Sequence, residues 1–162
     1  MSGVGNDLFD PDGMTTRAML VSILYRMAGE PDVSELPETP FEDVGPDAWY
    51  ADAVRWAYAN EVAAGIDDTH FAPDDRLTRA QLVTMLYRAY GPEKGVRPRP
   101  IGGYTDWNTV PEWAYPAATW AVSMGLLYGT SSSQLSPNAG ANRAQLAAFM
   151  MRTCELQSEL DA

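Results

Sequence analysis

The chain has 162 residues, enough for one ordinary domain or a tandem of small units. Its 22 acidic residues against 11 basic ones set a net charge of -11 and a pI near 4.3, which excludes nucleic-acid phosphates and anionic bilayers as default partners. Hydrophobic residues at 46% and aromatics at 10% exclude disorder. The lone Cys154 can form no internal disulfide or CxxC pair, and it reads as a small buried apolar residue. His70, the one histidine, sits in a loop with no nucleophile elbow beside it, so a Ser-His-Asp triad is not expected. No cofactor or metal site is expected. Membrane insertion is not expected either, because no apolar stretch approaches the length of a spanning helix. Met1-Ser2-Gly3-Val4-Gly5 lacks the basic and apolar regions of an export signal.

In chain order, Phe9-Asp10-Pro11 opens a loop that leads to a helix capped by Thr16. Leu20, Val21, Leu24 and Ala28 form its apolar face, and Gly29, followed by Pro31, ends it. After a Pro-containing connector, residues 30–40, comes Phe41-Glu42-Asp43-Val44, where Asp43 reads as a turn cap. A second helix follows, with Trp49, Ala53, Trp56 and Ala57 spaced as one apolar stripe. Gly65 and a Phe71-Ala72-Pro73 loop precede a third helix. That helix opens with a capping box, Thr78 and Gln81, buries Leu82, Val83, Leu86 and Tyr90, and stops at Gly91 before Pro92. The connector 92–103 holds Arg97-Pro98-Arg99-Pro100, a stiff solvated linker. Tyr104-Thr105-Asp106-Trp107 then leads into a fourth helix with the stripe Trp113, Ala117, Trp120 and Ala121. Gly129, a Ser131-Ser132-Ser133 insertion and Leu135-Ser136-Pro137 precede a fifth helix, capped by Asn142 with Gln145 three places on. Alternation around Phe41–Val44 and Tyr104–Trp107 allows some sheet pairing but is too short to define a strand.

These elements repeat. Thr16-Arg17-Ala18, Thr78-Arg79-Ala80 and Asn142-Arg143-Ala144 are separated by 62 and 64 residues, and Gly3, Gly65 and Gly129 stand at matching places. The reading is mainly α, with a partial first repeat at 1–33, which holds only its second half, a second at 34–98 and a third at 99–162, together one structural domain. The first repeat lacks its leading helix and nothing after Arg152 supplies it, so the chain is expected to be a piece of a longer polypeptide.

Ten of the 11 basic residues are Arg, and six of these occupy the repeat positions 17/79/143 and 26/88/152. Arg26, Arg88 and Arg152 near helix C-termini suit the helix dipole; Arg17, Arg79 and Arg143 at helix starts oppose it. Two partners fit the second set. One is a ligand anion held by first-turn N–H groups and the guanidinium fork. The other is internal, such as Asp12, Asp74 or the C-terminus of a neighbouring helix, although Asn138 replaces the equivalent acid in the third copy.

The succession Phe-x-Asp-Val, Trp-Tyr, Ala-Val-x-Trp-Ala, Gly, Phe-x-Pro, Thr-Arg-Ala-Gln and Leu-Tyr-Arg resembles the S-layer homology (SLH) repeat of bacterial surface proteins, over about two and a half copies. The resemblance implies helix-loop-helix repeats packed as a pseudo-threefold helical bundle, with grooves between repeats that hold secondary cell-wall polysaccharide, often by pyruvylated sugars. It implies a glycan site drawn from Arg17, Arg79, Arg143, Thr78, Gln81, Gln145, Trp56, Trp120, Gly65 and Gly129. The acid that closes the family's Thr-Arg-Ala-Glu signature is replaced by Met19, Gln81 and Gln145, and Glu61 stands where the third copy has Gly125.

The leading expectation is therefore a non-catalytic, extracellular anchor in the bacterial cell wall or S-layer that binds an acidic glycan. The runner-up is a protein-interaction or spacer module, with other surface-layer proteins as partners, whose glycan sites have decayed. A hydrolase using Glu42 with Asp43 or Asp106 is disfavoured, because the repeated Asp reads as a turn cap.

Overall fold

The computed structural model describes residues 9–91 and 103–160. Gly3 and the Arg97-Pro98-Arg99-Pro100 connector lie outside the described residues. The elements are α1 (Arg17–Met27), α2 (Ala51–Ala59), α3 (Arg79–Tyr90), α4 (Tyr115–Ser123) and α5 (Arg143–Leu160), with two 3-10 turns, Trp107–Thr109 and Glu112–Ala114, before α4. The mainly helical class expected from the periodicity is the one observed.

Three short extended segments, each just ahead of a repeat helix, join at the centre. Thr15 donates its N–H to the Ala141 carbonyl at 2.9 Å, Ala141 to Leu77 at 2.8 Å, and Leu77 back to Thr15 at 2.9 Å. The three repeats thus close a cyclic ring of main-chain bonds, with isolated antiparallel bridges at Met14–Asn142, Thr16–Arg76 and Thr78–Gly140. This is where the pairing falls. Among the described residues, the segments around Phe41 and Tyr104 each make a single main-chain bond to another segment, Glu42 N–H to Thr69 and Thr105 N–H to Ser133.

Each helix start continues the ring by leaning on the next repeat. The N–H groups of Arg17 and Ala18 donate to Asp75 and Pro73, those of Arg79 and Ala80 to Ala139 and Pro137, and those of Arg143 and Ala144 to Gly13 and Pro11. Beneath it, the equivalent residues Leu20, Leu82 and Leu146 are buried together with Phe71 and Leu135.

The Phe-x-Pro loops that receive these bonds are held from below. Asp43 accepts from the N–H groups of Phe71 at 2.8 Å and Ala72 at 2.7 Å; Asp106 accepts from Leu135 and Ser136, both at 2.8 Å. The repeated Asp is a turn cap, as its position suggested. Ala72 and Ser136 adopt left-handed φ values of 57° and 53°, a conformation unfavourable for L residues, and each carboxylate spans the two N–H groups that this geometry turns to one side.

Helix pairs form between repeats rather than within one. α1 packs on α2 and α3 on α4, with Tyr25 against Trp56 at 5.9 Å and Tyr87 against Trp120 at 5.5 Å. Among the described residues α5 has no such mate, so Met151, the counterpart of Tyr25 and Tyr87, is exposed. For the same reason Cys154 is exposed on α5 rather than buried as its composition suggested. Three further positions depart from the expected stripes: Ala28 is exposed, and Trp49 and Trp113, 66% and 54% exposed, precede α2 and α4 and so fall outside their helical spacing.

Candidate functional site

Arg17, Arg79 and Arg143 are 5%, 6% and 7% exposed. Each spans the seam to the neighbouring repeat. Arg17 donates from Nε to the Phe71 carbonyl at 2.8 Å and from Nη2 to Ala64 at 2.6 Å, with its guanidinium 4.6 Å from the Phe71 ring centre. Arg79 repeats this with the Leu135 carbonyl at 3.1 Å and the Tyr128 carbonyl, and Arg143 donates to the Phe9 carbonyl at 2.9 Å. Burial pulls the Arg17 and Arg79 guanidinium pKa values below the ordinary range, against the opposing field of nearby carboxylates such as Asp75 for Arg17 and Asp106 for Arg79; both stay cationic.

This geometry revises the expected anion site. The first-turn N–H groups are spoken for: two per helix by the next repeat, and the third by the cap, Thr16 Oγ1, Thr78 Oγ1 or Asn142 Oδ1. The internal partners of Arg17 and Arg79 are carbonyls, not Asp12 or Asp74. One edge of each guanidinium is fixed, and Nη1 of Arg79 has no hydrogen-bond partner among the described residues.

Arg79 forms the inner end of a groove of about 180 Å³ between the start of α3, the loop after α4 and one face of α5. Gln145, Ala148, Phe149 and Arg152 line it, and their i, i+3, i+4, i+7 spacing places them on one helix face. The Gln145 Oε1 accepts from Asn142 N–H at 3.4 Å, which aligns its amide nitrogen as a donor. Arg152 donates to the Leu126 carbonyl at 3.3 Å and lies 4.5 Å from the ring centre of Tyr128, itself 57% exposed. Among the described residues, none that line it is acidic. In a chain of net charge -11, two arginines thus face one groove with no carboxylate among its described lining residues, the nearby Asp106 acting on Arg79 from outside that lining.

Gly129 lines the same groove, and a Cβ there would lie 2.6 Å from Tyr104 Cε1; at Gly65 it would lie 2.7 Å from Phe41 Cε1. Glycine is required at both places by close approach. Thr78 and Gln81 complete a full capping box, with Thr78 N–H donating to Gln81 Oε1 at 2.9 Å. Trp120 is 6% exposed and packs on Tyr87, while Trp56 is half-buried against Tyr25. Neither lines the Arg79 groove, and each packs between helices. The sequence reading missed Arg152 and Tyr128 as lining residues. Arg152 is seven residues after Gln145, on the same face, and Tyr128 immediately precedes the repeat glycine; those are the signals that identify them.

Comparison with known proteins places these features in context. The family model described as S-layer homology domain matches residues 40–83 and 103–147. The chain is 31% identical over 144 residues to an endoglucanase of Bacillus sp. (strain KSM-635), covering 88% of this chain and 15% of that protein. It is also 31% identical over 162 residues to the surface-layer 125 kDa protein of Lysinibacillus sphaericus, covering 96% and 13%. With a cellulosome-anchoring protein of Acetivibrio thermocellus it shares 24% over 165 residues, covering 96% and 35%. The chain therefore spans only a small part of the relatives it matches. With the cyclic repeat and the two matched segments together, the chain belongs to the S-layer homology domain family.

Proposed function

We propose that the chain is a non-catalytic cell-surface anchoring module that holds an acidic secondary cell-wall polysaccharide, such as one bearing pyruvylated sugars, in the groove between α3 and α5. The observation that carries this reading is the acid-free pairing of Arg79 and Arg152 around one cavity of an otherwise strongly acidic molecule. A ligand carboxylate entering it would meet Nη1 of Arg79 and the Arg152 guanidinium, with Gln145 as a neutral donor beside them. The charge-assisted bonds would form in a partly desolvated site, where they are stronger than in bulk water. The exposed Tyr128 ring, steadied by Arg152, offers a flat face to the sugar.

Arg17 occupies the equivalent place at the seam with the second repeat, together with Gly65 and Gln81, and Arg143 at the third seam, where Met19 replaces the glutamine. Several modest sites on one polymer raise the overall avidity well above that of a single groove. The likeness to a surface-layer protein and to a cellulosome-anchoring protein supports an extracellular anchoring role, and the endoglucanase likeness concerns only a small part of that enzyme. A protein-interaction role gains support at the third seam alone, because Met19 cannot donate a hydrogen bond.

The test is calorimetric titration with pyruvylated wall polysaccharide and with the same polymer after its acid groups are removed. The acid-bearing polymer is expected to bind about tenfold more tightly, as for the gain of a charge-assisted bond; equal affinity for the two overturns the reading.

A further inference from the structure

A second groove, of about 350 Å³, lies between α1 and α2, away from the Arg79 cavity. It is lined by Ser22, Tyr25 and Arg26 from α1 and by Trp49, Asp52 and Ala53 at the start of α2. Ser22 is 5% exposed, and its hydroxyl has no hydrogen-bond partner. A helical hydroxyl ordinarily donates to the carbonyl four residues back, and Thr84 and Thr153 do so at 2.8 and 3.0 Å. Ser22 leaves that option unused at a buried position beside a cavity, where an unmet hydroxyl is costly.

Around it stand an exposed indole and an uncommitted carboxylate. Trp49 is 66% exposed, with its ring edge-on to Tyr50 at 5.2 Å. Asp52 is exposed and makes no hydrogen bond or ion pair among the described residues. Arg26, the one cation among the described residues that line the groove, is engaged with Glu30 at 3.5 Å. Tyr25 is also committed, donating to the Pro31 carbonyl at 2.8 Å.

The repeat supplies an internal control. At the equivalent place between α3 and α4, Thr84 replaces Ser22 with its hydroxyl satisfied, Pro116 replaces Asp52, and Trp113 again is exposed. The platform recurs in both repeats; the unsatisfied hydroxyl and the carboxylate beside it are present only at α1 and α2. They are thus not a by-product of how the helices pack.

We infer that this groove is a second subsite for an uncharged pyranose unit. The C–H face of the sugar stacks on Trp49, and its hydroxyls bond the Asp52 carboxylate and Ser22 Oγ. An acidic sugar is disfavoured there, because Asp52 and Glu30 face it and Arg26 is already paired. A glycan chain would thus place its acidic units on the arginines of the Arg79 groove and neutral units on the α1–α2 face. The inference rests on the wall-glycan reading for its choice of polymer, but it uses different residues.

Acid-stripped wall polysaccharide separates the two sites, since it cannot satisfy the arginines. Titrated into the intact chain, it is expected to bind weakly, and about tenfold less so to Trp49→Ala and Asp52→Ala. Trp49 and Asp52 are exposed, so both variants should retain the wild-type melting curve. No binding of the stripped polymer by the wild type, or equal binding by wild type, Trp49→Ala and Asp52→Ala, overturns the second subsite. Loss of discrimination between stripped and acid-bearing polymer instead overturns the Arg79 groove and leaves the Trp49 result to be judged alone.

Discussion

Arginine at the start of a helix works here because the dipole conflict is resolved by another repeat's backbone. Arg17 and Arg79 reach carbonyls 47 to 56 residues away in sequence, a distance at which no local pattern can reveal the acceptor. The periodic positions were legible, but their partners were not. Two other residues allow sharper tests. Thr15 is fully buried beside Leu77 and Ala141, and its hydroxyl has no partner; Thr15→Val keeps the shape and removes the unmet group. It should stabilise the fold by about 1 kcal/mol, which a thermal melt would register as a rise of about 2–4 °C for a chain of this size. Gly129→Ala should cost about 1–3 kcal/mol, because the added methyl must displace Tyr104 or the loop carbonyls, and it should weaken glycan binding by shifting the groove wall.

Among elements, the helix ends were the most readable because their chemistry is local. Thr78 with Gln81 forms the expected reciprocal box, while Thr16, followed by Met19, keeps only one half of it. The ends of α2 and α4 share one geometry: Leu126 donates to Ala121 at 2.7 Å and Gly125 to Val122 at 3.1 Å, as Val62 does to Ala57 and Glu61 to Tyr58. This is the Schellman arrangement, which favours glycine at the left-handed position. Gly125 has φ 67°, and Glu61 holds φ 57° without glycine's freedom. Glu61→Gly should therefore stabilise the chain by about 0.5–1 kcal/mol in chemical denaturation. Asp106 supplies an opposite case. Two backbone N–H bonds, led by that of Leu135, hold its carboxyl below the usual carboxylate range. Its contribution is thus fully present above the unfolded value near 4 and is lost as pH falls through the lower folded value. Asp106→Ala should lower stability by about 2 kcal/mol at neutral pH, and the gap from wild type should close in acid; a gap unchanged at pH 2 would refute this role. Which helices pair could not be read locally, because α1–α2 and α3–α4 contacts join successive repeats through faces that look alike in sequence.

For the whole molecule, the repeat made the fold class legible, while the ring through Thr15, Leu77 and Ala141 shows how the copies close. The first copy differs from the others at one point: Phe9 is 39% exposed, whereas its counterparts Phe71 and Leu135 are fully buried. Composition disclosed the excess of acid but not its placement, which puts no carboxylate among the described residues that line the Arg79 groove. Binding through so few fixed cations should weaken only moderately with added salt. The decisive measurement is calorimetric titration of pyruvylated wall polysaccharide into wild type and Arg152→Gln, with melting curves to confirm equal folding. Arg152 is half-buried at the groove rather than at the ring, so its loss should leave the fold intact and weaken binding about tenfold. Equal affinity in the two proteins would contradict an arginine-based glycan groove.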